Sequence, residues 1–354
     1  MSPVKPGYTR PLDLRHGRVD MSHGSGGRAM VQLIEQIFLD AFDNPALAAR
    51  DDHAVLATPP ELALGGRLVM ATDSHVVSPL FFPGGDIGCL SVHGTVNDVA
   101  MAGARPLWLS AGFILEEGFP LVDLQRIVAS MAQAAAEAGV PIVTGDTKVV
   151  QAGKGDGVFI NTTGVGVTRP GVHISGSLAR PGDAVLVSGT MGDHGVAVMS
   201  VREGLSFGTT LLSDTRSLHT LVAAMLDAVP GIHVLRDPTR GGLGATLNEI
   251  ASQSGVGMRL TESAIPVRGE VRAACELLGL DPLYVANEGK LLAICPAGQA
   301  DALLSALRAH PHGRDAAQIG TVVDDPNHFV QMTTALGGQR MVDWLAGEQL
   351  PRIC

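Results

Sequence analysis

The sequence has few aromatic residues and no excess of positive charge. Phenylalanine, tryptophan and tyrosine make up 4% of its 354 residues, too few for the stacking surfaces that bind single-stranded nucleic acid. Its formal net charge of −10 is opposite in sign to what nucleic acid or an anionic membrane attracts. We therefore expect neither a nucleic-acid partner nor attachment to a membrane.

Cysteine and long apolar runs are scarce as well. Cys89, Cys275, Cys295 and Cys354 form no C-x-x-C pair, so neither a disulfide framework nor a zinc site is expected, and a reducing compartment is favoured. The first residues lack the apolar run of a signal peptide, and no stretch approaches the ~20 apolar residues of a spanning helix. Together these features predict a cytoplasmic protein.

Glycine and aliphatic residues are plentiful, with 44 glycines and 45% hydrophobic residues, so the chain can bury a sizeable core. Strand-like and helix-like segments alternate in both halves, which favours a two-domain α/β or α+β enzyme with a cleft between the halves. The expected divisions are an arm at 1–22, domains at 23–169 and 170–341, and a mobile tail at 342–354. Residue patterns predict strands at 54–57, 67–72, 142–144 and 158–168, and a last helical turn at 341–345. They also predict helices at 92–101 and 124–138, the second of which ends at Gly139 as a C-cap.

Four aspartates stand beside apolar segments, in what the sequence suggests are loops at strand ends. They are Asp52, Asp73, Asp98 and Asp146. Magnesium binds through a few carboxylates together with substrate phosphates, so convergence of these loops would form a nucleotide–magnesium site. Each aspartate taken alone is as consistent with a turn or a helix cap, but their recurrence favours metal.

Glycine-rich segments offer backbone N–H groups to an anion. Gly24, Ser25, Gly26 and Gly27 precede a predicted helix, although they lack the ending of a P-loop, and such a cluster near a terminus is often a linker. Asp237 precedes a second glycine pair and is either a helix cap or part of a phosphate or adenine site.

Lysine is rare, because only four of the 25 basic residues are lysines. Lys148 follows Asp146 by two positions and would neutralise a phosphate or polarise a reacting amide, unless it is an ordinary exposed lysine. Glu288 precedes an apolar strand, where it is either a general base with a raised pKa or a solvated loop carboxylate. His194 in a turn is more often structural than catalytic.

The last residue of the sequence is Cys354, which follows a stretch with little apolar content. About nine extended residues reach roughly 30 Å, enough to cross from the surface to a cleft. A terminal cysteine alone is often accidental, and a neighbouring α-carboxylate opposes its ionisation.

Together, these segments resemble the HypE family of hydrogenase maturation proteins over nearly the whole chain from about residue 23. The resemblance rests on TDSHVVSPLFFPGGDIG at 72–88, GTVNDVAM at 94–101, TGDTKVV at 144–150, GTMGDHG at 189–195, DPTRGG at 237–242, ANEGK at 286–290 and the ending PRIC. His53, where a small residue is expected, is one departure.

The resemblance implies the fold shared with aminoimidazole ribonucleotide synthetase and selenophosphate synthetase (PurM-like). In that fold an N-terminal α/β domain completes a barrel across a homodimer, and an α+β domain follows. The resemblance also implies a reaction. A carbamoyltransferase, HypF, loads the terminal cysteine, the protein uses ATP to dehydrate the thiocarboxamide to a thiocyanate, and the cyanide passes to iron on a HypC–HypD complex.

The resemblance further implies roles for individual residues. Cys354 would carry the substrate, Glu288 would accept a proton and Lys148 would stabilise charge. Magnesium would be held by Asp52, Asp73, Asp98 and Asp146. The nucleotide would be bound by Gly24, Ser25, Gly26, Gly27, Asp73, Asn97, Asp98, Gly145, Asp146, Thr147 and Asp237.

Two other functions remain to be compared. Selenophosphate synthetases are expected to have a reactive cysteine or selenocysteine and a lysine near the N-terminal glycine loop, yet neither residue occurs here between Lys5 and Cys89. A non-catalytic thiol carrier would need no nucleotide site, so the polar segments argue against it.

Overall fold

The computed structural model describes residues 11–51, 53–204, 211–345, 350 and 352–354. The strands in this part of the chain are β1 Leu68–His75, β2 Phe81–Phe82, β3 Gly85–Asp86, β4 Ala104–Glu116, β5 Ile142–Val150, β6 Val158–Thr168, β7 Asp183–Val187, β8 Val234–Arg236, β9 Gly257–Thr261, β10 Leu292–Pro296, β11 Ala317–Val323, β12 Val330–Thr333 and β13 Gln339–Met341. The α-helices are α1 Arg28–Leu33, α2 Pro45–Ala48, α3 Pro60–Ala63, α4 Ile87–Met101, α5 Leu121–Ala138, α6 Asp193–Arg202, α7 His219–Ala228, α8 Gly242–Ser254, α9 Gly269–Leu278 and α10 Ala300–Ala309. A π-helical segment, Ile34–Leu39, continues α1.

The N-terminal half is built on a sheet with the strand order β1-β6-β4-β5. Strands β4 and β5 are parallel, so they require a crossover, which α5 provides. Leu124, Ile127, Val128 and Met131 of α5 are buried, because their spacing of three to four residues places them on one face. Gly139 ends α5 in the left-handed conformation at φ 66°, which confirms the predicted C-cap. The sheet's opposite face carries no helix among the described residues.

The C-terminal half is built on a sheet with the order β13-β12-β9-β11-β7-β10-β8. Strand β7 is buried along its whole length. Val185 and Val187 pack into one hydrophobic cluster and Ala184 and Leu186 into another, since alternate side chains of a strand point to opposite faces. Both faces of this sheet are therefore covered, unlike those of the first sheet.

Several local predictions are corrected by the structure. Residues 54–57 form no strand, and residues 341–345 hold the end of β13 instead of a helical turn. Strand β4, whose Arg105 and Pro106 interrupt the expected alternation, was not predicted. By contrast, the predicted strand at 158–168 is confirmed as β6. None of the described helices is long and apolar enough to cross a membrane.

Candidate active site

The end of the chain lies between the two halves. The Val76 N–H donates to a main-chain oxygen of Cys354 at 3.1 Å, and the Ser78 N–H donates to the Arg352 carbonyl oxygen at 3.1 Å. Residues 352–354 therefore run antiparallel to residues 76–78, as an added strand would. Ile353 is only 3% exposed and packs within the N-terminal core. The tail was predicted to be mobile and able to reach a cleft, and in this structure its end is docked there.

Docking places the Cys354 thiol against Glu288. The Glu288 side chain is buried at 4% exposure, and its Oε1 has no hydrogen-bond partner among the described residues. Burial raises the Cys354 pKa, and the Glu288 carboxylate raises it further, so the thiol stays protonated. Glu288 was predicted as a proton acceptor, and the structure places it beside the predicted substrate carrier.

Three aspartates surround Glu288, and the four carboxylates form what we call the acidic cluster. Asp73 lies in β1, Asp98 in α4, and Asp237 directly after β8. Burial, then Asp237 and Asp73, raise the Asp98 pKa to about 8. Burial is the main cause that raises the Asp237 pKa to about 6. Burial also raises the Glu288 pKa well above its usual value, and Asp237, Asp214, Asp73 and Asp98 raise it further. Burial first, and then repulsion between neighbouring carboxylates, therefore raises the pKa values of Asp98, Asp237 and Glu288.

A divalent cation fits the chemistry of the acidic cluster, because carboxylate oxygens are ligands that magnesium prefers. In the residues that the structure describes, however, no three side chains of the metal-binding types are arranged to hold a metal ion. Asp52, one of the predicted ligands, lies outside the described residues. The predicted magnesium ligands Asp73 and Asp98 therefore remain a proposal, and Asp237 is a further carboxylate beside them.

The predicted aspartate loops are wrong in their local structure. Asp73 and Asp146 lie within strands β1 and β5, and Asp98 lies in helix α4. Pairing with neighbouring strands carries β1 and β5 through residues of low strand propensity, such as aspartate and glycine. These three aspartates therefore lie in regular elements instead of loops, and their role as metal ligands stays a prediction.

Asp146 and Lys148 are not brought to the acidic cluster of the same chain. Strands β1 and β5 are the two edges of the four-stranded sheet, and three steps of about 4.8 Å separate them by roughly 14 Å. The Lys148 Nζ pairs with Asp146 Oδ2 at 2.6 Å, with side chains 62% and 63% exposed. Lys148 and Glu288 therefore belong to different parts of the molecule within one chain.

A second group of predicted residues meets at the β5 edge. A Cβ on Gly24 would lie 2.9 Å from Val149 of β5, so the glycine loop packs directly on this strand. Gly145 must lack a side chain because a Cβ there would lie 2.4 Å from the Ala111 carbonyl oxygen of β4. Beside them is a cavity of about 210 Å³, the α1–β5 pocket, lined by Met30, Ile34, Phe38, Leu39, Phe42, Leu47, Ala111, Phe113, Ile142, Thr144, Gly145, Asp146 and Thr147.

The other predicted residues of the glycine loop differ in their local structure. The Ser25 Oγ donates to the Ser22 carbonyl oxygen at 2.9 Å. Gly26 has φ 77°, which favours glycine. Gly27 is the N-cap of α1 without a side-chain cap. The N-terminal N–H groups of α1 are thus left without a capping side chain, as an anion-binding role requires.

Asn97 has a different role from the predicted nucleotide contact. Its Oδ1 accepts from the Leu218 N–H at 2.7 Å, and its Nδ2 donates to the carbonyl oxygens of Arg216 at 3.0 Å and Glu288 at 3.3 Å. The amide is 1% exposed and its hydrogen-bonding groups are engaged within the chain. Asn97 therefore fixes the backbone that carries Glu288.

Sequence reasoning missed a network of buried charged residues, Asp214, Lys290 and Asp193, which contacts the Glu288 backbone. The Glu288 N–H donates to Asp214 Oδ1 at 3.0 Å. The other Asp214 oxygen lies 3.5 Å from the Lys290 Nζ, which also lies 3.8 Å from Asp193 Oδ2. The rarity of lysine was a usable signal for Lys290, which is 6% exposed. Asp214 had no motif to identify it.

The two sheet-based halves correspond to the two domains of the AIR synthase related proteins. Residues 50–168 match the family of the AIR synthase related protein, N-terminal domain, and residues 180–333 match its C-terminal domain. The likeness extends to individual proteins. The chain is 69% identical over 351 residues to the carbamoyl dehydratase HypE of Cupriavidus necator, covering 99% of both chains.

Solved structures give the same result. A crystal structure of the hydrogenase maturation protein HypE in complex with ATP superposes with a TM-score of 0.90 at 54% identity, covering 94% of this chain and 99% of that one. A HypE chain in a HypE–HypF complex superposes with a TM-score of 0.77 at 50% identity, covering 88% and 99%. The chain belongs to the HypE family, within the AIR synthase related (PurM-like) superfamily.

Proposed function

We propose that this chain is an ATP-dependent carbamoyl dehydratase in hydrogenase maturation, and that its substrate is a carbamoyl group on its own Cys354. The observation that carries the proposal is the Cys354 thiol, docked between the halves against the buried Glu288. The naming of relatives as carbamoyl dehydratases and the ATP complex of a HypE support it.

The proposed reaction removes one oxygen and two hydrogens from the S-carbamoyl group. The amide oxygen attacks the γ-phosphorus of ATP, and ADP leaves. The N–H protons are then lost as the C–O bond breaks, phosphate departs, and a C≡N group remains on sulfur. Phosphorylation makes the amide oxygen a good leaving group, and the transfer itself needs positioning and charge neutralisation.

Glu288 is the proposed proton acceptor, since it lies beside the sulfur that carries the group. Its raised pKa brings a carboxylate towards the range in which a general base is most effective. Asp214 and Asn97 hold its backbone in place. Asp73, Asp98 and Asp237 would hold magnesium, which would supply charge neutralisation for phosphate oxygens. The resulting thiocyanate would donate cyanide to iron carried by HypC–HypD.

The nucleotide is proposed to bind at the β5 edge. The α1–β5 pocket has apolar walls for a base, and Gly24–Gly27 and the start of α1 offer N–H groups for phosphates. Lys148 lies on this edge and would neutralise phosphate charge. In this proposal it does not act on the group carried by Cys354 of the same chain.

A homodimer is proposed to complete the site. The helix-free face of the first sheet exposes Leu68 at 58%, Met70 at 73% and Ile114 at 44%. In the described part of the chain both edges, β1 and β5, lack a neighbouring strand. Closure with a second copy into a barrel would cover the apolar face and the edges together. It would also place β5 of one copy near an edge of the other.

Loading of Cys354 is proposed to come from HypF, as the complex of a relative suggests, in the cytoplasm. The four free cysteines are consistent with a reducing compartment.

The test follows the mass of the tail peptide. Protein loaded at Cys354 by a carbamoyltransferase is incubated with magnesium and ATP, and the peptide is expected to lose the mass of one water only when both are present. Cys354→Ala should prevent loading while ATP binding persists. An unchanged peptide mass with magnesium–ATP bound would refute the proposal and favour a thiol carrier.

A further inference from the structure

Helix α6 presents one face to the docked tail. His194, Val198 and Arg202 are four residues apart, so they form a single stripe along the helix. Val198 packs with Ile353 in the same buried cluster. His194 and Arg202 both contact tail carbonyl groups. No function described above uses this stripe.

The hydrogen bonds of His194 fix its tautomer. A carbonyl oxygen can only accept, so the Nε2–H donates to the Ile353 oxygen at 2.8 Å. Nδ1 then accepts from the Ser213 Oγ–H at 2.8 Å, and that oxygen accepts from the Thr215 N–H at 3.1 Å. Burial lowers the His194 pKa, which favours the neutral ring that this chain of hydrogen bonds requires. The edge-on Phe82 ring, 5.4 Å away, packs against it.

Arg202 connects the tail to the strand-like segment beside it. Its Nη2 donates to the Arg352 carbonyl oxygen at 2.8 Å and to the Ser78 carbonyl oxygen at 2.6 Å. Its Nε donates to the same Ser78 oxygen at 3.0 Å. One guanidinium therefore holds two neighbouring chain segments, which suits its rigid set of donors.

These contacts go to the tail backbone and do not involve the Cys354 side chain. The tail is therefore held in register by its carbonyl groups and by the buried Ile353 side chain, and the sulfur remains free to carry a group. A shift by one residue would replace Ile353 in the core and move the sulfur away from Glu288.

We propose that α6 is a latch for the tail, in which His194 and Arg202 are positioning residues that hold the Ile353 and Arg352 carbonyls and thereby set Cys354 against Glu288. The proposal rests on the proposed function for its purpose. Dehydration requires the latched tail, whereas loading by a partner enzyme requires the released tail.

The test measures how fast iodoacetamide alkylates Cys354 in the full-length protein, by mass analysis of the tail peptide. A docked thiol reacts only in the fraction of molecules whose tail is released. His194→Leu removes the donor to a buried carbonyl, and we expect about tenfold faster alkylation. His194→Gln places an amide N–H near the position of Nε2 and should restore much of the protection.

Cys275 and Cys295 are buried in the C-terminal half and report in the same samples whether a variant is unfolded. If His194→Leu exposes them, Arg202→Gln is the deciding variant, because Arg202 is partly exposed and its loss should release the tail without unfolding. Alkylation at the wild-type rate in the folded variants would overturn the latch. Equal rates for His194→Gln and His194→Leu would also overturn it, since packing alone would then explain the protection.

A functional readout separates the latch from the proposed function. In a latched mechanism, the Arg202→Gln protein should be loaded at least as fast as wild type but should dehydrate the loaded group more slowly. If neither protein dehydrates the group, the proposed function fails, while the alkylation result still decides the latch.

Discussion

The protonated state of Asp98 predicts an unusual dependence of stability on pH. Burial and neighbouring carboxylates raise the Asp98 pKa of the folded protein to about 8, whereas in the unfolded chain the carboxyl group loses its proton near its ordinary pKa of 3.8. The folded state binds more protons in this interval, so the free energy of unfolding falls as pH rises, by up to 1.36 kcal/mol per pH unit.

The interval from pH 6.5 to 8 separates the titration of the buried carboxyl groups from that of the buried histidines. Buried histidines such as His93, whose pKa burial lowers to about 4, add stability with rising pH only while the unfolded chain is protonated, which is below about 6.5. Above that value Asp98 contributes a loss of at most about 2 kcal/mol over 1.5 pH units. Asp98→Asn should remove this loss and, by lowering repulsion, reduce the contributions of Asp237 and Glu288 as well.

The assay is urea unfolding of the metal-free protein at pH 6.5 and pH 8, followed by fluorescence or circular dichroism. Asp40→Asn, which changes an exposed carboxylate, is the matched control and should keep the wild-type dependence. Magnesium should stabilise the wild type at pH 8 more than Asp98→Asn. An equal fall in stability for the wild type and Asp98→Asn between pH 6.5 and 8 would refute the reasoning.

Three other predictions concern separate parts of the molecule. Glu288→Gln should lower the rate of water loss from the loaded tail by about 10² to 10⁴-fold while ATP binding, measured by calorimetry, is retained; wild-type turnover would exclude Glu288 as the proton acceptor. Met70→Arg should weaken the dimer by at least about tenfold, because an apolar contact worth about 1.5–3 kcal/mol per side chain is lost; sedimentation that shows the wild-type assembly would contradict the barrel. Gly145→Ala should lower stability by about 1–3 kcal/mol in thermal unfolding, because its Cβ would meet the Ala111 carbonyl oxygen, and it should weaken ATP binding. Gly298→Ala, where a Cβ meets nothing within 4 Å, is its control, and a matching loss there would remove the steric explanation.

The regular elements were predictable where local pattern and packing agree. Strand β6 and the Gly139 end of α5 followed from valine-rich alternation and from a glycine C-cap. Strand β4 was missed because Arg105 and Pro106 occupy its start, where the pairing with β6 is irregular between Pro106 and Trp108. Such an irregularity depends on the neighbouring strand, which local sequence does not specify.

The candidate site was predictable in its residue types more than in its geometry. The structure places the predicted site residues Cys354 and Glu288 beside each other. Asp237 lies near the predicted Asp73 and Asp98, and the roles of these residues stay predictions. The separation of Asp146 and Lys148 from them follows from the strand order, which a single sequence does not reveal. Local spacing also gave no reason to expect that His194 contacts a residue 159 positions away.

The docked tail also acts as an internal ligand. It pairs with residues 76–78 of the first half, and its Ile353 carbonyl is held by His194 of the second. By reciprocity, whatever strengthens tail binding must favour apposition of the halves to the same extent, and the converse also holds. Nucleotide binding that favours closure of the cleft would then also strengthen docking of the tail.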